Sequence, residues 1–324
     1  MKYDLRLFYF MLRYPQVVND NFRQFSSAGI KYSGAKPAAE DGENLFAAVI
    51  PACNEAGRLL EVIKNLWPLP LGLLILVLNG CQDATLAEVL TLPEPRIKTI
   101  LFTEALGPDV PRAIGSLYAL EQGARGVLFV DGDMIGNIGA TMQRLLEALS
   151  AGTDLALCNC YPGRKPRSPL AETVLFYRGL LNKELGFWPS INDATPSHGP
   201  HAISRRLLLN VPPVDLVVPP LTLVHARRTG CRVAVAVELE HIYLGSRQRP
   251  HPHAATMATT LIGDCIQALR VARGEPPGRS LGGCNYLGYD TLRRRDILAE
   301  VLSGRRPLVV ISGYHNAPTL STIW

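Results

Sequence analysis

Gly126-Val127-Leu128-Phe129-Val130-Asp131-Gly132-Asp133-Met134 is the stretch on which the reading of the fold turns. An apolar run leads directly into two carboxylates separated by one glycine. A run this short, with Val and Phe in it, reads as a buried strand of a parallel sheet. Open α/β sheets place their ligands at the carboxyl ends of such strands. Two neighbouring acids repel each other and are costly to leave unpaired, so a cation belongs between them. Hard carboxylate oxygens suit Mg²⁺ or Mn²⁺ on a diphosphate. Taken alone, the stretch reads slightly more readily as a strand ending in a plain Asp-Gly turn, since both are ordinary turn residues.

Strands and helices alternate around it. Apolar runs mark strands over 45–50, 73–78, 97–102, 127–130 and 154–159. Helices are expected between them over 55–66, 83–90, 112–122 and 138–150; in the first, Leu59, Leu60, Ile63 and Leu66 recur at helical period. Such alternation implies an α/β fold, a mostly parallel sheet with helices on both faces. The later half is less regular. Helices are expected over 169–185, 204–209, 221–229, 254–273 and 296–302, a polar loop over 191–200, and a strand over 232–239. Residues 5–14 read as a helix ended by Pro15. The expected organisation is an N-terminal helical extension 1–44, a core 45–273 split into halves 45–160 and 161–273, and a C-terminal extension 274–324. The extensions could pack on the core or join two copies into a homodimer.

Bulk properties narrow the class. With 47% hydrophobic and 19% charged residues in 324, the chain can bury a substantial core and is not a disordered one. The net charge of +5 is scattered, which suits an anionic small molecule and argues against nucleic acid. Seven cysteines, odd in number and without a CxxC pair, imply neither a disulfide framework nor a zinc site, so a reducing cytoplasm is expected. The opening residues lack a signal-peptide apolar core, and the longest apolar stretch, 69–78, contains Pro70 and Gly72 and is too short to span a membrane.

Two upstream strand ends carry polar residues on the same sheet edge. The first is Val49-Ile50-Pro51-Ala52-Cys53-Asn54-Glu55, which is neither GxGxxG nor a P-loop. A plain turn with Asn54 capping the next helix would serve locally. The second is Val77-Leu78-Asn79-Gly80-Cys81-Gln82-Asp83-Ala84-Thr85, with an Asn-Gly turn and Asp83 as a helix cap. Three polar strand ends on one edge make a nucleotide pocket at a topological switch.

Together these motifs resemble family 2 glycosyltransferases of the GT-A (nucleotide-diphospho-sugar transferase) fold. Those chains show V-x-P-x-x-N-E, then D-G-S-x-D-x-T, then D-x-D, in the order and at the distances of Val49–Glu55, Asn79–Thr85 and Asp131–Asp133. The resemblance covers roughly 45–270. It implies that Pro51, Asn54 and Glu55 line the nucleoside pocket, with Asp83 shaping the same wall. Asn79 stands where the family usually has an acid, so the pocket keeps a hydrogen-bonding group without the charge. Arg112, in Leu106-Gly107-Pro108-Asp109-Val110-Pro111-Arg112-Ala113, falls where the family often places a base on the diphosphate; a solvated arginine in a first helical turn is the alternative. Asp131 and Gly132 would face the ribose and metal, and Asp133 would bind the metal directly. Mg²⁺ and Mn²⁺ are both implied.

The later half resembles glucosyl-3-phosphoglycerate synthase-type enzymes. The matching residues are Arg178-Gly179-Leu180-Leu181-Asn182, Trp188-Pro189, and Gly199-Pro200-His201-Ala202-Ile203-Ser204-Arg205-Arg206-Leu207-Leu208. In that reading Gly199 lets the backbone approach the donor sugar, and Arg205 or Arg206 touches an anionic group. A solvated face is preferred for at least one of the two. The fold commonly takes a third metal ligand from a late histidine. His241, just past the strand over 232–239, is favoured, with His251 and His253 as rivals. Inverting members carry an Asp about a dozen residues before a helix-ending glycine. Counting back from Gly230 lands on Val218-Pro219; Asp215 is the nearest candidate base, with Asp193 and His198 upstream in the loop.

The expectation is a cytoplasmic, metal-dependent hexosyltransferase. Its donor would be a UDP- or GDP-sugar, and its acceptor a small molecule, lipid or saccharide hydroxyl; the mildly basic later half leaves a small anionic acceptor open. Two other readings stay open. One is a degenerate domain that binds nucleotide or a partner without catalysis. The other is a sugar-phosphate nucleotidyltransferase, which would need a glycine-rich loop that 51–57 does not supply.

Overall fold

The apolar runs form the strands, in the order the sequence implies. The computed structural model describes residues 45–92, 94–163, 167–248, 250–312 and 319–323. The helix expected over 5–14, with the rest of 1–44, lies outside these residues. The strands are β1 (Phe46–Ala52), β2 (Leu71–Asn79), β3 (Ile97–Phe102), β4 (Gly126–Phe129), β5 (Leu155–Asn159), β6 (His201–Ser204), β7 (Val233–Glu238), β8 (Ser280–Leu281), β9 (Cys284–Asn285), β10 (Leu308–Ser312) and β11 (Thr319–Ile323). Helices of eight or more residues are α1 (Leu59–Leu66), α2 (Val110–Glu121), α3 (Gly139–Ser150), α4 (Pro169–Glu184), α5 (Pro220–Arg228), α6 (His251–Ala272) and α7 (Arg295–Leu302).

Nine strands form one sheet in the order β11-β10-β3-β2-β1-β4-β6-β5-β7. Only β6 and β10 run against the others, so the sheet is mostly parallel. β8 and β9 make a separate two-stranded hairpin. Strands covered on both faces read as continuous apolar runs rather than alternating ones. Accordingly β1 sends Val49 to one core and Ile50 to the other, both fully buried. α2, α5 and α7 cover the first face, while α1 and α3 cover the second. This is the GT-A arrangement of an α/β sheet. None of the described helices is long and apolar enough to cross a membrane.

Two departures from the sequence reading matter for the site. α1 begins at Leu59, not at Glu55, because Asn54 (φ 58°) and Gly57 (φ 75°) turn the chain before it can become helical. β6, inside a region read as loop and helix, slips in antiparallel between β4 and β5. Within the C-terminal extension, for which packing on the core was one expectation, β10 pairs with β3 and extends the same sheet.

Candidate functional site

The carboxyl ends of β1, β2 and β4 open on a cleft of about 600 Å³. Pro51, Glu55 and Asn79 line it, as do Arg112, Asp131, Gly132 and Asp133. His241 and His253 reach it from the later half. Residues separated by up to two hundred positions therefore meet there, because parallel strands deliver every carboxyl end to one edge.

Gly132 is required by the turn after β4. Its N–H donates to the Pro51 carbonyl at 3.1 Å, and a Cβ there would lie 2.9 Å from that oxygen. The turn points the two acids differently. Asp131 Oδ1 accepts from Arg112 Nη2 at 2.5 Å, and Arg112 Nη1 donates to Asp109 at 2.7 Å. Burial raises the Asp131 carboxyl above its ordinary range, Arg112 opposes the shift, and Asp133 adds to it. Asp133 accepts the Arg247 N–H at 3.2 Å and lies in the cleft. Arg58, unremarked in the sequence, ties this turn to the one bearing His241: Nη2 donates to the carbonyls of Asp133 (3.0 Å) and Gly245 (2.8 Å).

His241 sits on a short 3₁₀ turn after β7. Its Nδ1 lies 2.9 Å from Nε2 of His198, and Tyr161 stacks on both rings. Burial and the nearby Arg178 hold His241 below its ordinary pKa, against the pull of Asp133. His198 is pushed down harder, by burial, Arg178 and His241. His253, the rival, is engaged 2.8 Å from the Tyr289 hydroxyl, and His251 is exposed at the start of α6.

A hard divalent ion wants six or more oxygen-rich donors. Among the described residues no three His, Cys, Asp or Glu side chains converge to hold one by themselves. The Asp133 carboxylate and the His241 ring share the cleft, and Asp131 lies two residues from Asp133. This donor set fits a cation that takes its remaining ligands from a diphosphate and water, and does not fit a cation held by protein alone.

Other expected site residues do structural work. Asn54 Oδ1 accepts the Gln82 N–H at 2.7 Å, so it joins two loops rather than capping α1 or lining the cleft. Asp83 accepts from Ala56 N and Thr85 N, both at 3.0 Å, and from the Thr85 hydroxyl. Burial would raise its pKa, but these hydrogen bonds outweigh burial and lower it. Asn79 is buried; its amide donates to the Ala52 carbonyl (3.0 Å) and accepts Leu106 N–H (3.3 Å). Gly199 adopts φ 73°, and a Cβ there would strike Cys160 Sγ, so close packing on β5 explains the glycine.

Two expectations fall away from the cleft. Arg205 follows β6 at the amino-terminal edge of the sheet, where Ser204 pairs with Gly126. Its guanidinium donates to the carbonyls of Leu120 (3.0 Å) and Ala124 (3.2 Å), so it cannot serve an acceptor loop at the opposite edge. Arg206 pairs with Asp154 at 3.2 Å. Asp215 Oδ2 lies 2.7 Å from His225 Nε2 and does not line the cleft. His198, noted in the upstream loop, does line the cleft, and Ser197, Tyr289 and Leu292 line it without having been anticipated. Their local sequence carries no motif; the polar character of 191–200 hinted only at Ser197 and His198.

Comparison with known proteins agrees with this geometry. The glycosyl transferase family 2 profile matches residues 47–211. No curated protein matches the chain by sequence. Among solved structures, glucosyl-3-phosphoglycerate synthase from Mycobacterium tuberculosis with Mn²⁺, UDP and phosphoglyceric acid is similar, with 22% identity, TM-score 0.52, and coverage of 72% of this chain and 79% of that one. The same enzyme with Mn²⁺ and UDP-glucose gives 21%, 0.52, and 72% and 80% coverage. A mycobacterial protein gives 21%, 0.51, and 86% and 83% coverage. At these identities the likeness speaks for the fold.

Proposed function

Because this chain belongs to glycosyl transferase family 2, we propose that it moves a hexose from a UDP- or GDP-sugar to an acceptor hydroxyl, using Mg²⁺ or Mn²⁺. The observation that carries the reading is the Asp133 carboxylate, presented into the cleft beyond β4 with a single amide hydrogen bond from Arg247. Asp133 and His241 would hold the cation, joined by Asp131. When bound, the ion neutralises charge developing on the departing nucleoside diphosphate. Arg112 supplies a second positive charge from the first turn of α2, where the amino-terminal end of the helix adds to it. Turning Arg112 from Asp131 to the diphosphate would free that carboxylate for the metal. Pro51, Glu55 and Asn79 form the wall against the nucleoside, and the uncharged Asn79 presents no carboxylate there. Solved relatives containing UDP, UDP-glucose, Mn²⁺ or Mg²⁺ support the donor class, and one containing phosphoglyceric acid supports a small anionic acceptor.

A second reading, nucleotide binding without transfer, is favoured by one observation. Asp215, the candidate base, is paired with His225 outside the cleft. One experiment separates the two: Mn²⁺-dependent hydrolysis of a panel of UDP- and GDP-sugars, with Asp133→Ala as control. A Mn²⁺-dependent thermal shift with UDP or GDP but no hydrolysis selects the binding reading. No shift and no hydrolysis overturns both.

A further inference from the structure

Arg178, on α4, is 3% exposed, and among the described residues no ion pair or hydrogen bond satisfies its guanidinium; its Nε is buried without a partner. An uncompensated buried cation is strongly unfavourable unless something else meets it. The surrounding pocket, between the end of β5 and the 193–198 loop, contains one carboxylate, Asp193, which lies beyond ion-pair reach. Burial raises Asp193, and Arg178 pulls it back. In the pocket lining, the Thr195 hydroxyl is buried and, among the described residues, unpaired; the Ser197 hydroxyl, two residues on, is likewise buried and unpaired and belongs to the adjoining cleft. His198 lines both this pocket and the cleft, and Ser197 lines the cleft.

An unspent guanidinium fork, with the Thr195 hydroxyl in the same pocket and the Ser197 hydroxyl in the adjoining cleft, suits a carboxylate or phosphate. We propose that Arg178, Thr195 and Ser197 form the subsite for an oxyanion group on the acceptor, at the inner end of the cleft. The assignment rests on the transferase reading above and names which residues select the acceptor. The pocket has no room for a free water in this structure, so occupation displaces the His198 ring, the side chain common to both spaces. The acceptor hydroxyl then remains on the cleft side, toward Asp133 and His241.

Calorimetric titration of the full chain without metal tests the subsite, using inorganic phosphate, phosphoglycolate and glycerate, with glycerol as the neutral control. A separate titration with UDP and Mn²⁺ reports the donor site. The organic anions should bind and glycerol should not. Arg178→Met should weaken them by about tenfold or more with UDP affinity unchanged, and Arg178→Lys should fall between. Thr195→Val should weaken them several-fold, which keeps the test decisive if Arg178→Met does not fold. Retained anion affinity in either variant overturns the subsite. So does a wild-type chain that binds UDP but no anion, or inorganic phosphate alone. A chain that binds the organic anions at Arg178 but no nucleotide leaves the subsite standing and overturns the transferase reading instead.

Discussion

Arg293 is the residue whose loss should cost the fold most. Its side chain is fully buried (0% exposed), and its guanidinium donates to Asp264 at 2.7 and 2.8 Å, to Asp290 at 2.7 Å and to Asp109 at 2.8 Å. Asp109 holds Arg112, and Arg112 holds Asp131. Alternating charges therefore run from the segment after β9 to the carboxyl end of β4. Arg293→Met would leave Asp264, 1% exposed, with Arg279 at 2.6 Å as its remaining cation. Removing one partner of a buried ion pair costs about 3–5 kcal/mol, because the other charge stays buried and uncompensated. A domain's whole stability is about 5–15 kcal/mol. Urea unfolding of the full chain should show a much lower midpoint at unchanged slope. Asp264→Asn added to Arg293→Met removes the stranded charge. The double variant should lose less than the sum of the single losses, by about 1–3 kcal/mol. A loss below about 1 kcal/mol for Arg293→Met, or strict additivity, would refute the reasoning.

Asp133→Ala should lower metal-dependent turnover by about a hundredfold or more, read by nucleotide release with saturating Mn²⁺, because the cation loses its cleft carboxylate. Asp215→Asn should leave turnover unchanged within error in the same assay, since its partner is His225 outside the cleft; a large loss would restore it as the base. His201 is held down to about 3, first by burial and then by Arg112, so the unfolded chain takes up its proton first as pH falls. The stability due to its neutral form is complete above the ordinary value of 6.5 and is lost progressively between 6.5 and about 3. Urea unfolding at pH 6.5 and pH 5 should show about 2 kcal/mol lost through this group, and His201→Gln should abolish that part of the slope. Gly115→Ala should destabilise by about 1–3 kcal/mol in thermal or urea unfolding. Its Cβ would lie 2.5 Å from Val49 Cγ1 where α2 packs on β1.

Much of the donor half was legible because its signals are local. The run ending in Asp131-Gly132-Asp133 is a buried strand followed by a tight turn, and both depend on near neighbours. The three polar strand ends fell on one edge because parallel strands leave no other choice. Asn54 and Asp83 show the limit of the same reasoning. Their types suit both a ligand wall and a turn, and their partners, Gln82 and Ala56, lie 28 and 27 positions away. The acceptor half was less legible for a related reason. β6 is four residues long and antiparallel, and its insertion sends Gly199 to the cleft edge and Arg205 to the far one.

By itself, then, the order of amino acids determined the parallel strands β1–β5 and β7, the turns after them and the two acids beyond β4, because apolar runs and turn residues act over a few positions. Only the tertiary structure decided which polar groups meet. It paired Asp215 with His225, set His198 against His241, carried Arg293 to Asp109 across 184 positions, and left the Arg178 guanidinium buried with no countercharge in reach among the described residues. Those outcomes depend on crossovers and register, which place charges from distant parts of the chain within a few ångströms of one another.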